Sequence, residues 1–182
     1  MAENGFVCSA SDREEQGGYM RDESAYTTDY SDLVDAFTQR FGERLKLLVL
    51  FGSQSRGEAH LGSDHDVFAL IEDLPQDPLE RRRAVMTPLL PVLFQLPERL
   101  SIIAKTPQEF SHRLTPLVVD VCMDGISLFG HEYFETVRRQ VAQTMLDSGL
   151  HRRWIGGTWM WMFPSLPDKD WAVTWEGYRE HI

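Results

Sequence analysis

Two short polar motifs in this sequence carry residue types suited to phosphate chemistry, and both border apolar segments. The first is Gly52-Ser53, which follows the apolar run Leu45–Phe51. A glycine at the end of a buried strand lets the following backbone N–H groups and the Ser53 hydroxyl face a phosphate near a positive helix end. Arg56 lies three residues after Ser53 and can add charge-assisted hydrogen bonds to phosphate oxygens. The first motif therefore predicts a phosphate-binding turn.

The second motif is the acidic pair Asp64 and Asp66, at the start of a second apolar run, Asp66–Ile71. Side chains two residues apart on a strand project from the same face, so the two carboxylates converge. Their repulsion requires compensation, which a divalent cation such as Mg2+, held by carboxylates and substrate phosphates, supplies. Each motif alone is a weak signal, because Gly-Ser pairs are usually turns and Asp-x-Asp pairs are usually solvated. Together, between two apolar runs, they predict a site for phosphate and metal.

The elements that position these motifs can be read from periodicity and capping signals. Apolar residues at helical spacing predict a first helix over Ser31–Phe41, ended by Gly42. The runs 45–51, 66–71 and 100–104 predict strands, and 126–129 a short fourth one. Helix-start signatures stand at Asp77-Pro78 and Thr106-Pro107, a further helix runs from about 116 to 125, and another ends near Gly149. We expect an α/β (α+β) domain in which a small mixed sheet is flanked by helices.

Composition narrows the function classes. The 182 residues suit one globular domain, and a formal net charge of −10 argues against nonspecific nucleic-acid binding, which depends on many lysines and arginines. There is no apolar run of membrane-spanning length and no secretory signal pattern, so a soluble, cytoplasmic protein without membrane contact is expected. Cys8 and Cys122 lack a CxxC pattern and are predicted to be reduced thiols.

The motif spacing resembles that of the DNA polymerase beta-like nucleotidyltransferase superfamily, in particular its minimal nucleotidyltransferases. Their signature is Gly-Ser, ten residues, then Asp-x-Asp, which here is Gly52-Ser53 and Asp64-x-Asp66; Arg56-Gly57 matches as well. On this resemblance we expect the nucleotidyltransferase domain over 26–130. Composition predicts a disordered tail over 1–25, and periodicity and aromatic content predict a C-terminal helix with a Trp-rich extension packed on the domain over 131–182.

The resemblance implies that Gly52 and Ser53, with Arg56, hold the triphosphate and that Asp64 and Asp66 ligate two Mg2+ ions. The implied activity is transfer of a nucleoside monophosphate from a nucleoside triphosphate, with ATP as the expected donor, to a hydroxyl acceptor. Related domains act as antitoxins that adenylylate a HEPN-type toxin protein, so such a partner is implied here too. An antibiotic nucleotidylyltransferase is an alternative, although those enzymes carry a larger acceptor domain.

One position departs from the family pattern. The third carboxylate of the family falls on Ser101, and serine neither ligates magnesium well nor accepts a proton near neutral pH. Loss of a positioned general base costs about 10²–10⁴-fold in rate, so a catalytically weakened module that binds nucleotide or masks a partner is a second hypothesis. Glu98, three residues earlier, either substitutes for the missing carboxylate or is a surface acid.

Several other polar and aromatic residues favour structural roles. His60 and His65 flank the acidic pair but are interpreted as exposed loop residues rather than ligands. Arg81, Arg82 and Arg83 are interpreted as a solvated helix face. Aromatic burial favours a satellite core for the C-terminal tryptophans over a partner interface, and Gly156-Gly157 suggests a turn between them. Asp120 and Asp124 are expected on a helix surface or near its end, away from the acidic pair.

Overall fold

In the computed structural model, residues 28–156, 158–163 and 171–180 are described here, so the predicted tail over 1–25 and Cys8 lie outside the described residues. The helices are α1 Ser31–Phe41, α2 Ser53–Arg56, α3 Pro78–Met86, α4 Pro107–His112, α5 Pro116–Asp124 and α6 His131–Asp147. The strands are β1 Leu45–Phe51, β2 His65–Ile71, β3 Leu100–Lys105, β4 Ile126–Phe129, β5 His151–Ile155, β6 Thr158–Met162, β7 Trp171–Thr174 and β8 Gly177–Glu180.

The main sheet has four strands in the order β3-β2-β1-β4. β1 runs antiparallel to β2 and β4, whereas β2 and β3 run parallel, so the sheet is mixed. Both central strands are nearly continuous apolar runs because helices cover both faces of the sheet. The predicted α/β architecture, with a small mixed sheet flanked by helices, is therefore confirmed.

The core is divided by the sheet into two clusters of buried side chains. On one face, Phe68 and Leu70 of β2 pack with residues of α4, α5 and α6. On the other face, Val67 and Ala69 pack with α1 and α3. Alternate residues of β2 thus belong to opposite faces, as the twofold repeat of a strand requires. Asp66 shares the parity of Phe68 and Leu70, which places it on the face covered by α4–α6.

Local signals explain most of the helix boundaries. Gly42 ends α1 with a positive φ of 52°, and Asp77 caps α3 by accepting hydrogen bonds from the next turn. Thr106 and Glu109 form the reciprocal capping box at the start of α4. The α3 helix ends at Met86, and the proline-containing segment 87–92 continues as a 3₁₀ helix.

The C-terminal part was predicted as a helix followed by an aromatic-rich extension, but the extension is built of strands. β5 and β6 form one antiparallel hairpin, and β7 and β8 form another. Trp161 and Trp175 are partly buried against the core cluster on the α4–α6 face. Gly156, with a φ of 59°, lies in the turn of the first hairpin, as the Gly-Gly pair suggested.

Candidate functional site

The site begins where β1 ends against β2. Phe51, the last residue of β1, is paired with Asp66, so the following residue, Gly52, lies beside the Asp66 side chain. Gly52 has a φ of 80° and a ψ of −150°, a conformation available essentially only to glycine. A Cβ atom at this position would be 2.7 Å from Oδ2 of Asp66. The two predicted motifs are therefore in direct contact, and only glycine fits between them.

The turn after Gly52 is a short helix, α2, whose first residue is Ser53. The Ser55 hydroxyl and the Arg56 N–H both donate to the Gly52 carbonyl, and Gly57 closes the turn in the left-handed conformation. Backbone N–H groups in the first turn of a helix lack intrahelical acceptors. These backbone groups are therefore available to an anion next to Asp66, and the phosphate-binding role of Gly52 and Ser53 stays a prediction.

The acidic pair fits a metal ion that also takes ligands from its substrate. Asp66 is the second residue of β2, and Asp64 immediately precedes that strand. Within the described ranges, no group of three or more His, Cys, Asp or Glu side chains is arranged to hold a metal ion by itself. Mg2+ is commonly held by one or two carboxylates together with substrate phosphates and waters. Asp64 and Asp66 therefore supply a partial ligand set, which a triphosphate at Gly52 and Ser53 would complete.

Ser101, the position where the family resemblance predicts a third carboxylate, lies on β3. Ser101 of β3 is paired with Asp66 of β2 in the parallel register, and paired residues on adjacent strands lie on the same face. Glu98 is exposed and lines a cavity of about 240 Å³ with His65 and Arg99. His65 belongs to the opposite face of β2 from Asp66. Glu98 therefore lies near the face of β2 that carries His65, whereas Ser101 occupies the position beside Asp66 on the other face.

Arg56 makes contacts that the sequence did not indicate. Its Nε donates to Glu58 Oε2 at 2.7 Å, and its Nη1 lies 3.6 Å from Asp124 Oδ2. Glu58 in turn accepts from the Trp159 indole N–H at 3.3 Å. The predicted phosphate ligand is thus surrounded by carboxylates from its own turn and from the end of α5.

The α5 carboxylates also bind the first C-terminal hairpin. Arg152 of β5 donates two hydrogen bonds to Asp124, at 2.5 and 2.8 Å, and a third to Asp120 at 3.3 Å. We call Arg152, Asp120 and Asp124 the hairpin clamp. Burial raises the pKa of Asp120, and Asp124 adds to this shift, although Arg152 opposes it. Asp124 lies at the end of α5, which is one of the two positions expected from sequence, and its side chain is only 13% exposed.

The two histidines near the acidic pair make protein contacts. The Tyr30 hydroxyl is 2.7 Å from His65 Nδ1, and Gln54 Nε2 is 3.3 Å from the other ring nitrogen. Burial lowers the pKa of His65, although Asp64 and Asp66 act in the opposite direction. His60 accepts from or donates to the Ser63 hydroxyl at 3.0 Å within its own loop. Both rings therefore brace the loops beside the site, and His65 is less exposed than expected.

The fold and the site define the class of protein: a mixed sheet in which a Gly-Ser turn packs against a carboxylate-bearing strand, as in nucleotidyl-transferring domains. The sequence model of the nucleotidyltransferase domain family matches residues 31–125. The chain therefore belongs to this family and is a transferase of that class.

The chain is also similar to one curated relative and to several solved structures. A protein of Methanocaldococcus jannaschii described as a protein adenylyltransferase is 26% identical over 101 residues, which span 55% of this chain and 69% of that protein. A toxin–antitoxin structure with AMP-PNP is 18% identical and covers 65% of this chain and 87% of that one, with a TM-score of 0.46. A mutant of the MntA–HpeT toxin–antitoxin is 19% identical over 65% and 86% of the chains, with a TM-score of 0.45. Among the described residues, no helix is long and apolar enough to cross a membrane.

Proposed function

We propose that this protein transfers a nucleoside monophosphate from ATP to a hydroxyl group of a protein. The contact between Gly52 and Asp66 carries the proposal, because it joins a phosphate-binding turn to the metal-binding carboxylates at a spacing no other residue allows. Gly52, Ser53 and Arg56 bind the triphosphate, and Asp64 and Asp66 hold two Mg2+ ions. The relative described as a protein adenylyltransferase supports a protein acceptor and ATP as donor.

The chemistry is an in-line substitution at the α-phosphorus. The acceptor oxygen forms a bond to the α-phosphorus, and the bond from that phosphorus to the bridging oxygen breaks as pyrophosphate leaves with the electron pair. The acceptor proton passes to solvent, since Ser101 is no base at neutral pH. When bound, Mg2+ would neutralise phosphate charge and acidify the acceptor hydroxyl. The residues of this chain orient the triphosphate, and the small side chain of Ser101 leaves room for the acceptor hydroxyl to approach the α-phosphorus.

The resemblance to minimal nucleotidyltransferases supports a more specific partner, a HEPN-type toxin protein that this chain would adenylylate as an antitoxin. An antibiotic acceptor is less well supported, because the relative described as a protein adenylyltransferase points to a protein acceptor.

The test measures binding and transfer separately. Labelled ATP, CTP, GTP or UTP is titrated with and without Mg2+, and transfer to protein acceptors is then followed as covalent label. Asp66→Asn is the matched variant, because it keeps the side-chain volume beside Gly52 and removes the charge. We expect Mg2+-dependent ATP binding that Asp66→Asn abolishes. Equal ATP binding by the wild type and Asp66→Asn would contradict the proposed site.

A second candidate function, a catalytically weakened nucleotide-binding or partner-masking module, is favoured by one observation, the pairing of Ser101 with Asp66. Ser101→Asp separates the two candidates, since it restores a carboxylate beside Asp66. If the wild type is weakened, this variant should raise the transfer rate by about 10²–10⁴-fold. If the wild type is active and Ser101→Asp leaves its transfer rate unchanged or lowers it, the weakened module is ruled out. Ser101→Asn is the control of similar size without charge.

A further inference from the structure

Among the described residues, no strand pairs with the outer side of β3. β3 is the terminal strand in the order β3-β2-β1-β4, and its inner side is paired with β2. We call the outer side the free edge of β3. The His65 N–H donates to the Arg99 carbonyl at 2.7 Å. Because every second residue of a strand bonds to the same neighbour, the backbone groups of the odd-numbered β3 residues, such as Ser101 and Ile103, bond to β2. The backbone N–H and C=O groups of Leu100, Ile102 and Ala104 therefore point away from the sheet. Such a row of groups is a template for another strand.

A cavity of about 600 Å³ runs along this edge. Leu100, Ile102 and Ala104 line it together with Ser101, while Arg82 of α3 and Glu109 of α4 form its rim. Arg81, which also lines the cavity, donates two hydrogen bonds to Glu109 at 2.9 and 2.8 Å and so links α3 to α4 beside it. From residue 100 to 104 the strand is about 13 Å long, which is the length of a five-residue extended segment.

The same edge lies next to the proposed reaction centre. Ser101 separates the cavity from Asp66, its partner on β2. A strand added to β3 would lie about 10 Å from β2, because neighbouring strands are about 4.8 Å apart. A side chain from that strand on the Asp66 face would cross above Ser101. Serine is small, so it leaves this path open, whereas a carboxylate at the same position would fill it.

We propose that the protein acceptor docks as an extended segment that pairs with the free edge of β3 and presents its hydroxyl residue across Ser101 to Asp66. This inference rests on the proposed transfer to a protein and specifies the form of the acceptor. Main-chain hydrogen bonds to Leu100, Ile102 and Ala104 give affinity, as in other complexes formed by strand addition. The hydroxyl residue lies opposite Ser101, and this register selects which residue is modified.

The rim of the cavity favours an acidic segment. Arg82 makes no ion pair with any described residue and lines the cavity, whereas the neighbouring Arg81 is already paired with Glu109. A second copy of this chain is a poorer occupant, because pairing two β3 edges would bring two arginine rims and two molecules of net charge −10 together. The acceptor segment therefore carries Asp or Glu residues next to its hydroxyl residue.

The test uses synthetic nine-residue peptides with Ser, Thr or Tyr at the centre, β-branched residues at alternate positions, and either glutamate or lysine flanks. Amide hydrogen exchange of the full chain with Mg2+ and ATP reports docking, and labelled ATP reports transfer. With glutamate-flanked peptides, the amides of Leu100, Ile102 and Ala104 should exchange more slowly. Those of Ser101 and Ile103 should not change, because β2 already holds them.

Ile102→Pro removes one outward N–H without breaking a bond to β2 and should weaken peptide binding about tenfold. Ile102→Val keeps the N–H and should bind like the wild type. Ala104→Pro repeats the test if Ile102→Pro fails to fold, and Arg82→Glu should reverse the preference between glutamate and lysine flanks.

Three results would overturn the docking proposal. In the first, no peptide protects the three amides while ATP still binds. In the second, both proline variants bind the peptides as well as the wild type does. In the third, the wild type forms a dimer that Ile102→Pro abolishes. Failure of the proposed function is seen separately, as the absence of Mg2+-dependent ATP binding in the peptide-free protein.

Discussion

Replacement of Gly52 by alanine tests the contact that joins the two halves of the site. The new Cβ would be 2.7 Å from Oδ2 of Asp66, whereas ordinary van der Waals contact starts at about 3.4 Å, so the carboxylate must retreat by about 0.7 Å. A displaced side chain of this kind costs about 0.5–1.5 kcal/mol. The backbone conformation of Gly52 adds about 1–3 kcal/mol when any other residue adopts it. We therefore expect Gly52→Ala to lower the free energy of unfolding by about 1.5–4.5 kcal/mol.

Urea unfolding of a double-mutant cycle separates the two contributions. In Asp66→Ala the atoms at 2.7 and 3.5 Å are removed, and the nearest remaining side-chain atom, Cβ of Asp66, is at 3.6 Å, an ordinary contact. Gly52→Ala should then cost about 0.5–1.5 kcal/mol less in this background than in the wild type. Gly57→Ala is the control, because Gly57 has a positive φ of 67° and open space around its Cβ position. Its cost should be the same in both backgrounds.

The functional readout of the same variants is Mg2+-dependent ATP binding. Gly52→Ala should lose it, because the shifted carboxylate no longer faces the turn, whereas Gly57→Ala should keep it once corrected for stability. An equal cost of Gly52→Ala with and without the Asp66 carboxylate would refute the reasoning. It would mean that the two residues do not touch in solution.

Three further outcomes follow from other contacts. Arg152→Met should lower the free energy of unfolding by about 1.5–3 kcal/mol, because it leaves the carboxylates of the hairpin clamp without their cation, whereas Arg153→Met on exposed surface should change little in the same urea titration. Burial raises the pKa of Cys122 to about 12, so its thiol should resist iodoacetamide at pH 7.5 until urea unfolds the chain, as peptide mass spectrometry would show. The hydrogen bond from Arg81 lowers the pKa of Glu109. The free energy of unfolding of the wild type should therefore exceed that of Glu109→Gln by its full amount above pH 4.5, and this difference should vanish as the pH falls through the lowered pKa. A difference that persists at pH 2 would contradict this account.

The elements around the site could be predicted because their signals are local. The helical repeat over Ser31–Phe41, the capping box at Thr106 and the apolar strand 45–51 each depend on residues a few positions apart. The nucleotidyltransferase motif is equally local in sequence, and the structure brings its Gly52 and Asp66 together as expected. Local signals therefore suffice to predict the individual elements and the motif residues at their ends.

The C-terminal hairpins were missed although one signal was available. Gly156-Gly157 between two aromatic-rich segments is a hairpin pattern, but Arg152 and Arg153 interrupt the apolar alternation of β5. The reason for Arg152 is an ion pair with Asp124, 28 residues away, which no local pattern encodes. The contact of Trp159 with Glu58 spans 101 residues and was equally inaccessible. Long-range charge pairing, rather than hydrophobic periodicity, determines how this hairpin lies against the site.

The position of Arg56 between the phosphate turn and α5 suggests how nucleotide binding and the hairpin are related. Its pair with Asp124 at 3.6 Å is loose, and a partly exposed ion pair of this kind contributes at most about 1 kcal/mol. A hydrogen bond from a guanidinium to a phosphate contributes about 1.5–3 kcal/mol, so a triphosphate can displace Asp124 from Arg56 at a net gain. Asp124 would remain neutralised, because Arg152 holds both of its oxygens. The clamp therefore lets Arg56 move to the nucleotide without leaving a buried carboxylate unpaired.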